Sequence, residues 1–248
     1  MLRHRVIPVV LLDGYSVVKT VQFDIRRNLG NPITVARIYN SRNVDELILL
    51  DIDASKENRH IDFITIEDMA SECFMPLTVG GGLRTCDDIG KALQKGADKV
   101  VLNTSALIDS NIIKRASSTF GSQCIVVSVD VNKNGSCYSI FSHSGCKINI
   151  EFLEWCKKAE SLGAGELFIN SVYLDGKMSG CDNLLIEMVS SVVNIPVIFC
   201  GGVSKPSDFV SAIKKGASAV AAASIFHFTD FTPDDCKAAM EVAGIPVR

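Results

Sequence analysis

The chain lacks a membrane-length apolar run and an excess of basic residues. No such run among its 248 residues reaches the ~18–20 residues that a spanning helix needs. The formal net charge is -3, whereas a general nucleic-acid binder would present a basic surface. The N-terminal MLRHRVIPVVLL has no small-residue cleavage site, so we interpret it as a first strand, not a signal peptide. We therefore expect a cytoplasmic protein with neither nucleic acid nor membrane among its partners.

The nine cysteines include no Cys-x-x-Cys pair. Their number is odd, and Cys124, Cys137, Cys146 and Cys156 are scattered through strand and helix patterns. Metal sites and disulfide frameworks built from cysteines usually show characteristic spacings. We interpret these cysteines as reduced, small core residues, and we expect neither a metal nor a cofactor.

Short apolar runs alternate with helical patterns along the whole chain, of which 47% is hydrophobic. The predicted strands cover residues 5–11, 46–51, 75–79, 99–102, 124–130, 166–170, 197–200 and 219–222. The predicted helices lie near residues 32–40, 61–73, 86–95, 110–120, 150–162, 184–193, 206–215 and 233–242. Eight such units favour an α/β fold, a (β/α)8 TIM barrel that forms one domain over residues 1–248. An open, doubly wound sheet is the competing architecture.

An internal repeat favours the barrel. Residues 76–107 align without a gap on residues 196–227, at a constant offset of 120 positions. Nine aligned pairs are identical, which is enough to indicate two equivalent half-barrels and to argue against the open sheet.

Glycine turns recur at equivalent places in the two halves. Gly82 follows the third predicted strand and Gly202 the seventh, while the next strands end at Asn103–Thr104 and at Ser224. Glycine brings backbone N–H groups close to a ligand, and two adjacent loops of this kind can bind phosphate. We expect two phosphate sites on opposite sides of the barrel mouth and a long substrate with a phosphate at each end.

A carboxylate ends the fifth predicted strand, at Asp130. At this end of a barrel strand it favours general acid or base catalysis, although it could also cap the loop that follows. Its counterpart in the other half is Leu11. Asp13 lies two residues further on, in an Asp-Gly turn. Asp51 and Asp53 end the second strand, and we expect one of them to point inward as a candidate second carboxylate; the alternative is a buried, hydrogen-bonded aspartate.

Four charged residues open their predicted strands at the opposite end of the barrel: Arg5, Glu46, Lys99 and Glu166. Two cations and two anions in one layer could form a salt-bridged ring. From charges alone a structural plug is the simpler interpretation, but buried ion pairs are weak evidence for stability, so the ring invites another explanation.

Two predicted loops exceed the usual length for such units, at residues 12–31 and 131–149. Both would lie on the face where barrel enzymes bind their substrates, so they are lid candidates. Within the second loop, YSIFSHSG has the pattern of a small hairpin.

The whole chain resembles the cyclase subunit of imidazole glycerol phosphate synthase. The matching stretches are DELILLDIDAS, PLTVGGGLR, GADKVVLNT, FGSQCIVVSVD, GAGELFINS, DGKMSGCD and AASIFHF. The resemblance implies a heterodimer with a glutaminase subunit on the bottom of the barrel. Ammonia from glutamine would pass a gate of charged residues, which match Arg5, Glu46, Lys99 and Glu166. It would react at the top with a bisphosphorylated, nucleotide-type small molecule, yielding imidazole glycerol phosphate and an aminoimidazole nucleotide.

The resemblance also implies substrate contacts and a mobile first loop that carries Lys19. The implied phosphate and substrate contacts are Lys19, Gly82, Asn103, Thr104, Asp175, Gly176, Gly202 and Ser224. With this family in view, the charged ring is a gate and not a plug.

The chain departs from the family at the catalytic face. The family has an aspartate on strand one and another on strand five; Asp130 matches the second, but Leu11 stands in place of the first. Asp53 and Asn170 replace threonines of strands two and six. Loss of an acid–base group typically costs about 10²–10⁴-fold in rate. The pattern is similar to paralogues in surface-polysaccharide gene clusters.

Three functions follow. The first is the barrel subunit of an ammonia-channelling complex that supplies an amidotransferase making acetamidino sugars. The second is an authentic histidine-pathway cyclase in which Asp13 or Asp53 replaces the missing acid. The third is a non-catalytic scaffold that activates a glutaminase.

Overall fold

The computed structural model describes residues 3–42, 44–142, 148 and 150–248. Over these residues the strands are β1 (Arg5–Asp13), β2 (Ser16–Val21), β3 (Ile25–Gly30), β4 (Leu47–Asp51), β5 (Leu77–Gly80), β6 (Lys99–Leu102), β7 (Ile125–Asn134), β8 (Cys137–Ile140), β9 (Glu166–Ser171), β10 (Val197–Cys200) and β11 (Ala219–Ala222). Eight of them pair in parallel in the order β1, β4, β5, β6, β7, β9, β10, β11, and β11 returns to β1. The predicted (β/α)8 TIM barrel is confirmed.

The helices that separate these strands are α1 (Pro32–Ser41), α2 (Phe63–Glu72), α3 (Cys86–Gln94), α4 (Thr104–Ile108), α5 (Asn111–Phe120), α6 (Phe152–Ser161), α7 (Asn183–Ser190), α8 (Pro206–Lys214), α9 (Ser224–Phe228) and α10 (Pro233–Val242). Proline occupies the first position of α1, α8 and α10, where its missing N–H has no helical partner to lose. The sequence did not predict α4 and α9, because five residues are too few to show a helical period.

The repeat is visible in matching helix starts. Asp88 accepts hydrogen bonds from the backbone N–H groups of Arg84 and Thr85, and Asp208 accepts them from those of Ser204 and Lys205. An aspartate in the first turn satisfies N–H groups that the helix itself leaves unbonded. This identical pair therefore has a structural role in each half.

The prediction of a long loop at residues 12–31 is wrong. β1 continues to Asp13, and β2 pairs antiparallel with both β1 and β3, so most of the segment is a hairpin. Its turn is formed by Gln22 and Phe23 at φ values of 52° and 64°, without the glycine or asparagine that usually marks such a turn. The second predicted loop contains a hairpin, but at another place than predicted: β8 pairs back with the end of β7, so residues 138–140 belong to its second strand. The continuation of YSIFSHSG through residues 143–145, like Cys146, lies outside the described residues.

Two apolar clusters hold the barrel together. The larger lies between the strands and the surrounding helices. The smaller fills the barrel interior and consists of Ile7, Val9, Leu11, Val18, Ile48, Val101, Val126, Phe168, Ile198, Cys200, Ala219 and Ala221. None of the helices in the described ranges is both long and apolar enough to cross a membrane.

Candidate functional site

Alternate residues of each barrel strand point inward, and one strand shows how the interior is layered. On β9, Glu166 lies at the base, Phe168 belongs to the interior apolar cluster, and Asn170 lies at the mouth. The same order holds on β1, where Arg5 is followed by Ile7 and Val9. The interior is therefore charged at the base and apolar above it.

The four predicted ring residues meet at the base of the barrel. Glu46 bonds Arg5 at 2.6 Å and Lys99 at 3.1 Å. Glu166 bonds the same two cations, at 3.1 Å and 2.9 Å. The Thr78 hydroxyl also donates to Glu46, at 2.8 Å. Signs alternate around the ring, so each charge lies between two opposite ones, and the ring closes the bottom of the interior.

The ring keeps its charges despite burial. Burial raises the pKa of Glu46, but the Arg5 and Lys99 charges outweigh it and hold that pKa below its ordinary value. Burial lowers the pKa of Arg5, yet Glu46 and Glu166 raise it overall. Glu46 lies one residue before the start of β4, whereas the sequence predicted it as the first residue of that strand.

Two cavities lie side by side at the mouth, of about 850 Å³ and 490 Å³ including space open to solvent. They share a boundary made by Leu11, Phe23, Leu50 and Asn170. The first cavity is lined by one half's predicted phosphate residues, Gly82, Asn103 and Thr104. The second is lined by Asp175, Gly176, Gly202 and Ser224. The structure thus brings the predicted residues together as two separate groups.

The glycine turns have nearly the same shape in both halves. Gly81 and Gly201 have φ values of 104° and 109°, and Gly82 and Gly202 of 67° and 83°. A Cβ atom on Gly202 would collide with the carbonyl oxygen of Gly180. Glycine is therefore required here by backbone conformation and packing, whatever ligand the loops bind.

Each cavity is lined by one lysine. Lys19 lines the second cavity; its ammonium bonds the Asp175 carboxylate at 2.9 Å and the Thr20 carbonyl at 2.6 Å. Lys56, which sequence analysis missed, lines the first. The only signal for it was its position three residues beyond Asp53, in the loop after a barrel strand. A lysine, a glycine turn and a hydroxyl in each cavity suit an anionic group.

Asp130 is buried at the mouth and lines the first cavity together with Leu11. Its carboxylate accepts a hydrogen bond from the Asn103 amide at 2.7 Å and one from the Ser128 hydroxyl at 3.3 Å. The side chain of Leu11 presents only carbon atoms to the same space. The site therefore has one carboxylate from this opposed pair, able to exchange a proton with a ligand in the first cavity.

The two candidate replacement carboxylates are bonded to one cation. Arg26, on β3, bonds Asp53 through both of its terminal nitrogens and Asp13 at 2.6 Å. The hydrogen bond from Arg26 is the main cause that holds the pKa of Asp53 below its ordinary value. Neither carboxylate lines the two cavities. An ionised carboxylate fixed to arginine is a poor proton donor near neutral pH.

Asp51 lines the first cavity, but its hydrogen bonds stabilise the loop that follows β4. Its carboxylate accepts from the Arg59 guanidinium at 2.5 Å and from the backbone N–H of Ala54 at 3.0 Å. Within the described ranges no cluster of three or more His, Cys, Asp or Glu side chains could hold a metal ion.

The chain is similar to known proteins over its whole length. The family model described as "Histidine biosynthesis protein" matches residues 5–232. A Campylobacter jejuni protein with the provisional name imidazole glycerol phosphate synthase subunit hisF2 is 48% identical over 248 residues, covering 100% of this chain and 99% of the relative. An imidazole glycerol phosphate synthase subunit HisF of Dehalococcoides mccartyi is 44% identical over 250 residues, with the same coverage. The chain belongs to the histidine biosynthesis protein family, among the relatives of the imidazole glycerol phosphate synthase HisF subunits.

Proposed function

We propose that this protein is the barrel subunit of a glutamine-dependent complex that channels ammonia, and that it supplies this ammonia for acetamidino sugar synthesis. A glutaminase subunit docks at the base of the barrel and hydrolyses glutamine. Ammonia crosses the barrel interior and leaves at the mouth. The cavities at the mouth bind a phosphorylated small molecule or face an amidotransferase.

The charged ring at the base of an otherwise apolar interior is the observation that carries this proposal. A ring used only for stability would be a poor choice, because well-packed apolar side chains of similar volume do as well or better. A small neutral molecule can cross the apolar layer of Ile7, Ile48 and Phe168 without leaving a charge buried. The ring would have to separate to admit it, so it can act as a gate.

The base of the barrel also offers a surface for a glutaminase. Helices run opposite to the strands they follow, so their C-terminal ends lie around the base. Phe74, just beyond α2, is 86% exposed, and Val242, the last residue of α10, is 91% exposed. Exposed apolar side chains around the ring are suited to a protein partner.

The altered catalytic pair favours delivery of ammonia over cyclisation. Asp130 remains, but Leu11 cannot transfer a proton, and Arg26 holds both Asp13 and Asp53. An authentic cyclase is the second candidate, favoured by the two phosphate-type cavities at the mouth.

The eight cysteines that the structure describes are free thiols, which fits our proposal of a cytoplasmic protein.

An ammonium-driven assay tests the proposal. The purified barrel is given a high concentration of ammonium chloride and the histidine-pathway nucleotide, and formation of imidazole glycerol phosphate is measured beside a HisF with both aspartates. We expect turnover lower by about 10²–10⁴-fold, the typical contribution of one acid–base group. Turnover equal to that of the two-aspartate enzyme would refute the acetamidino proposal and support an authentic cyclase.

A further inference from the structure

Asn170 carries a buried hydrogen-bond acceptor at the barrel mouth. Its side chain is only 8% exposed, and its Oδ1 atom has no hydrogen bond within the part of the chain that the structure describes. The residue lines both cavities at their shared boundary. In register it lies between Asp130 on β7 and Cys200 on β10.

An unbonded buried oxygen in this position points to a missing donor. Buried polar side-chain atoms nearly always have a hydrogen-bond partner, so an exception calls for an explanation. The backbone fixes where Asn170 points, because inward and outward residues alternate along β9. A donor that arrives with a ligand would satisfy this oxygen.

The position of Asn170 above the ring narrows the choice of ligand. Glu166, Phe168 and Asn170 follow one another on the inner face of β9, so Asn170 lies about 13 Å above the ring at roughly 3.3 Å per residue. The interior cluster around Phe168 is apolar, and the hydroxyl level with it, that of Ser128 on β7, donates its proton to Asp130. A molecule that moves up from the ring therefore meets Asn170 and Asp130 together at the mouth.

We propose that Asn170 binds ammonia as it leaves the barrel interior, its Oδ1 accepting one N–H while Asp130 accepts another. Ammonia carries three N–H donors and is small enough to fit between two neighbouring strands. Leu11 and Leu50, which line both cavities as Asn170 does, supply an apolar boundary beside it. Asn170 would thus hold ammonia where the two cavities meet. This inference rests on the proposed ammonia channel.

The test is an NMR titration of the isolated, ¹⁵N-labelled barrel with ammonium chloride. The backbone amides of Asp130 and Ser171 report on the site in every variant. We expect saturable shifts in the wild type, and roughly a five- to tenfold weaker affinity in Asn170→Leu, as the loss of one hydrogen bond implies. Asn170→Thr keeps an acceptor and should bind with intermediate affinity.

Asn111→Leu, on the exposed surface of α5, is the matched control and should bind as the wild type does. Sodium chloride at equal concentration controls for ionic strength. The inference is overturned if the amides do not respond, if sodium shifts them equally, or if Asn170→Leu binds unchanged. The titration needs neither glutaminase nor acceptor, so a negative result would leave the channel proposal to be judged by coupling assays.

Discussion

At the scale of single residues, the two halves of the barrel differ at the predicted catalytic position. Leu11 and Asp130 both point into the first cavity, but only Asp130 can hold or release a proton. Asn103 and Ser128 still orient Asp130 with hydrogen bonds. Of the predicted acid–base pair, one position thus carries a carboxylate with supporting contacts, and the other carries leucine in place of a carboxylate.

Leu11→Asp tests whether this replacement alone removes cyclisation. Burying a carboxylate at a site only 9% exposed should lower the free energy of unfolding by about 1–3 kcal/mol. Ammonium-driven cyclase turnover should nevertheless rise by about 10²–10⁴-fold if the rest of the site is competent. Turnover is measured with the histidine-pathway nucleotide.

Leu50→Asp is the matched control, because Leu50 is the register partner of Leu11 on β4 and lines the same cavities. It adds the same charge at a position where the family has no catalytic aspartate, so it should give no gain. An equal gain from both variants would mean that any added carboxylate suffices. No gain from either would mean that further residues of the mouth have changed.

From the sequence, the positions of site residues along single strands could be predicted, but not the contacts between different strands and loops. It placed Asp130, Leu11 and the ring residues correctly, because strand ends follow from the alternating pattern. It could not predict that Asp13 and Asp53 share Arg26, since that contact depends on how β3 folds back over the mouth. Lys56 and the unbonded oxygen of Asn170 likewise become visible only when several strands and loops are placed together.

At the scale of structural elements, the β2–β3 hairpin is a cover held at two places. On one side Lys19 and Thr20 bond Asp175, and on the other Arg26 bonds Asp53. Phe23, at the turn, lines both cavities between them. The Arg26 hydrogen bond holds the pKa of Asp53 below its ordinary value. The Arg26–Asp53 bond therefore stabilises the hairpin fully at pH values above the ordinary pKa of aspartate, and this stabilisation is lost as the pH falls through the lowered pKa.

Lys19→Met tests the first of these attachments. It removes the ammonium but keeps most of the side-chain volume, leaving Asp175 buried without its cation, which normally costs several kcal/mol. Because the hairpin can open and let water reach Asp175, we expect the loss to appear locally. Amide hydrogen exchange in β2 and β3 should become about 10- to 100-fold faster, with little change in the barrel strands.

Lys114→Met is the control for this experiment, since Lys114 lies on the exposed surface of α5 and lines neither cavity. It should leave exchange in the hairpin unchanged. Equal protection in wild type and Lys19→Met would show that the hairpin is held by its strand pairing and Arg26 alone.

The hairpin is also the element that sequence analysis missed. β2 has four consecutive buried residues and β3 is almost wholly exposed, so neither shows the alternation that marks a half-buried strand. Barrel strands were easier to predict, because short continuous apolar runs separated by amphipathic helices are typical of parallel sheets. The hairpin forms because β1 extends beyond the barrel and offers β2 an edge to pair with.

At the scale of the whole molecule, the two ends of the barrel differ. The mouth has two cavities related by the repeat, each lined by a glycine turn, whereas the base has one charged ring with exposed apolar residues around it. Such a molecule can work between two partners or between a partner and a substrate. Its two ends can also change independently, which would allow a new acceptor at the mouth while the same glutaminase remains at the base.

Lys99→Ala tests whether the ring controls passage through the molecule. Without Lys99, Glu46 and Glu166 each lose one of two cationic partners, and the ring opens on that side. We expect the glutaminase complex to keep hydrolysing glutamine while less of the ammonia reaches the acceptor, so the ratio of amidated product to glutamate should fall severalfold.

Lys95→Ala, which breaks only the exposed pair with Glu67, should leave that ratio unchanged. Direct use of ammonium chloride should be equal in all three proteins, because ammonia then enters from solution at the mouth. A fall in ammonium-driven activity as well would indicate general damage to the barrel, and an unchanged ratio in Lys99→Ala would show that the ring is a structural plug.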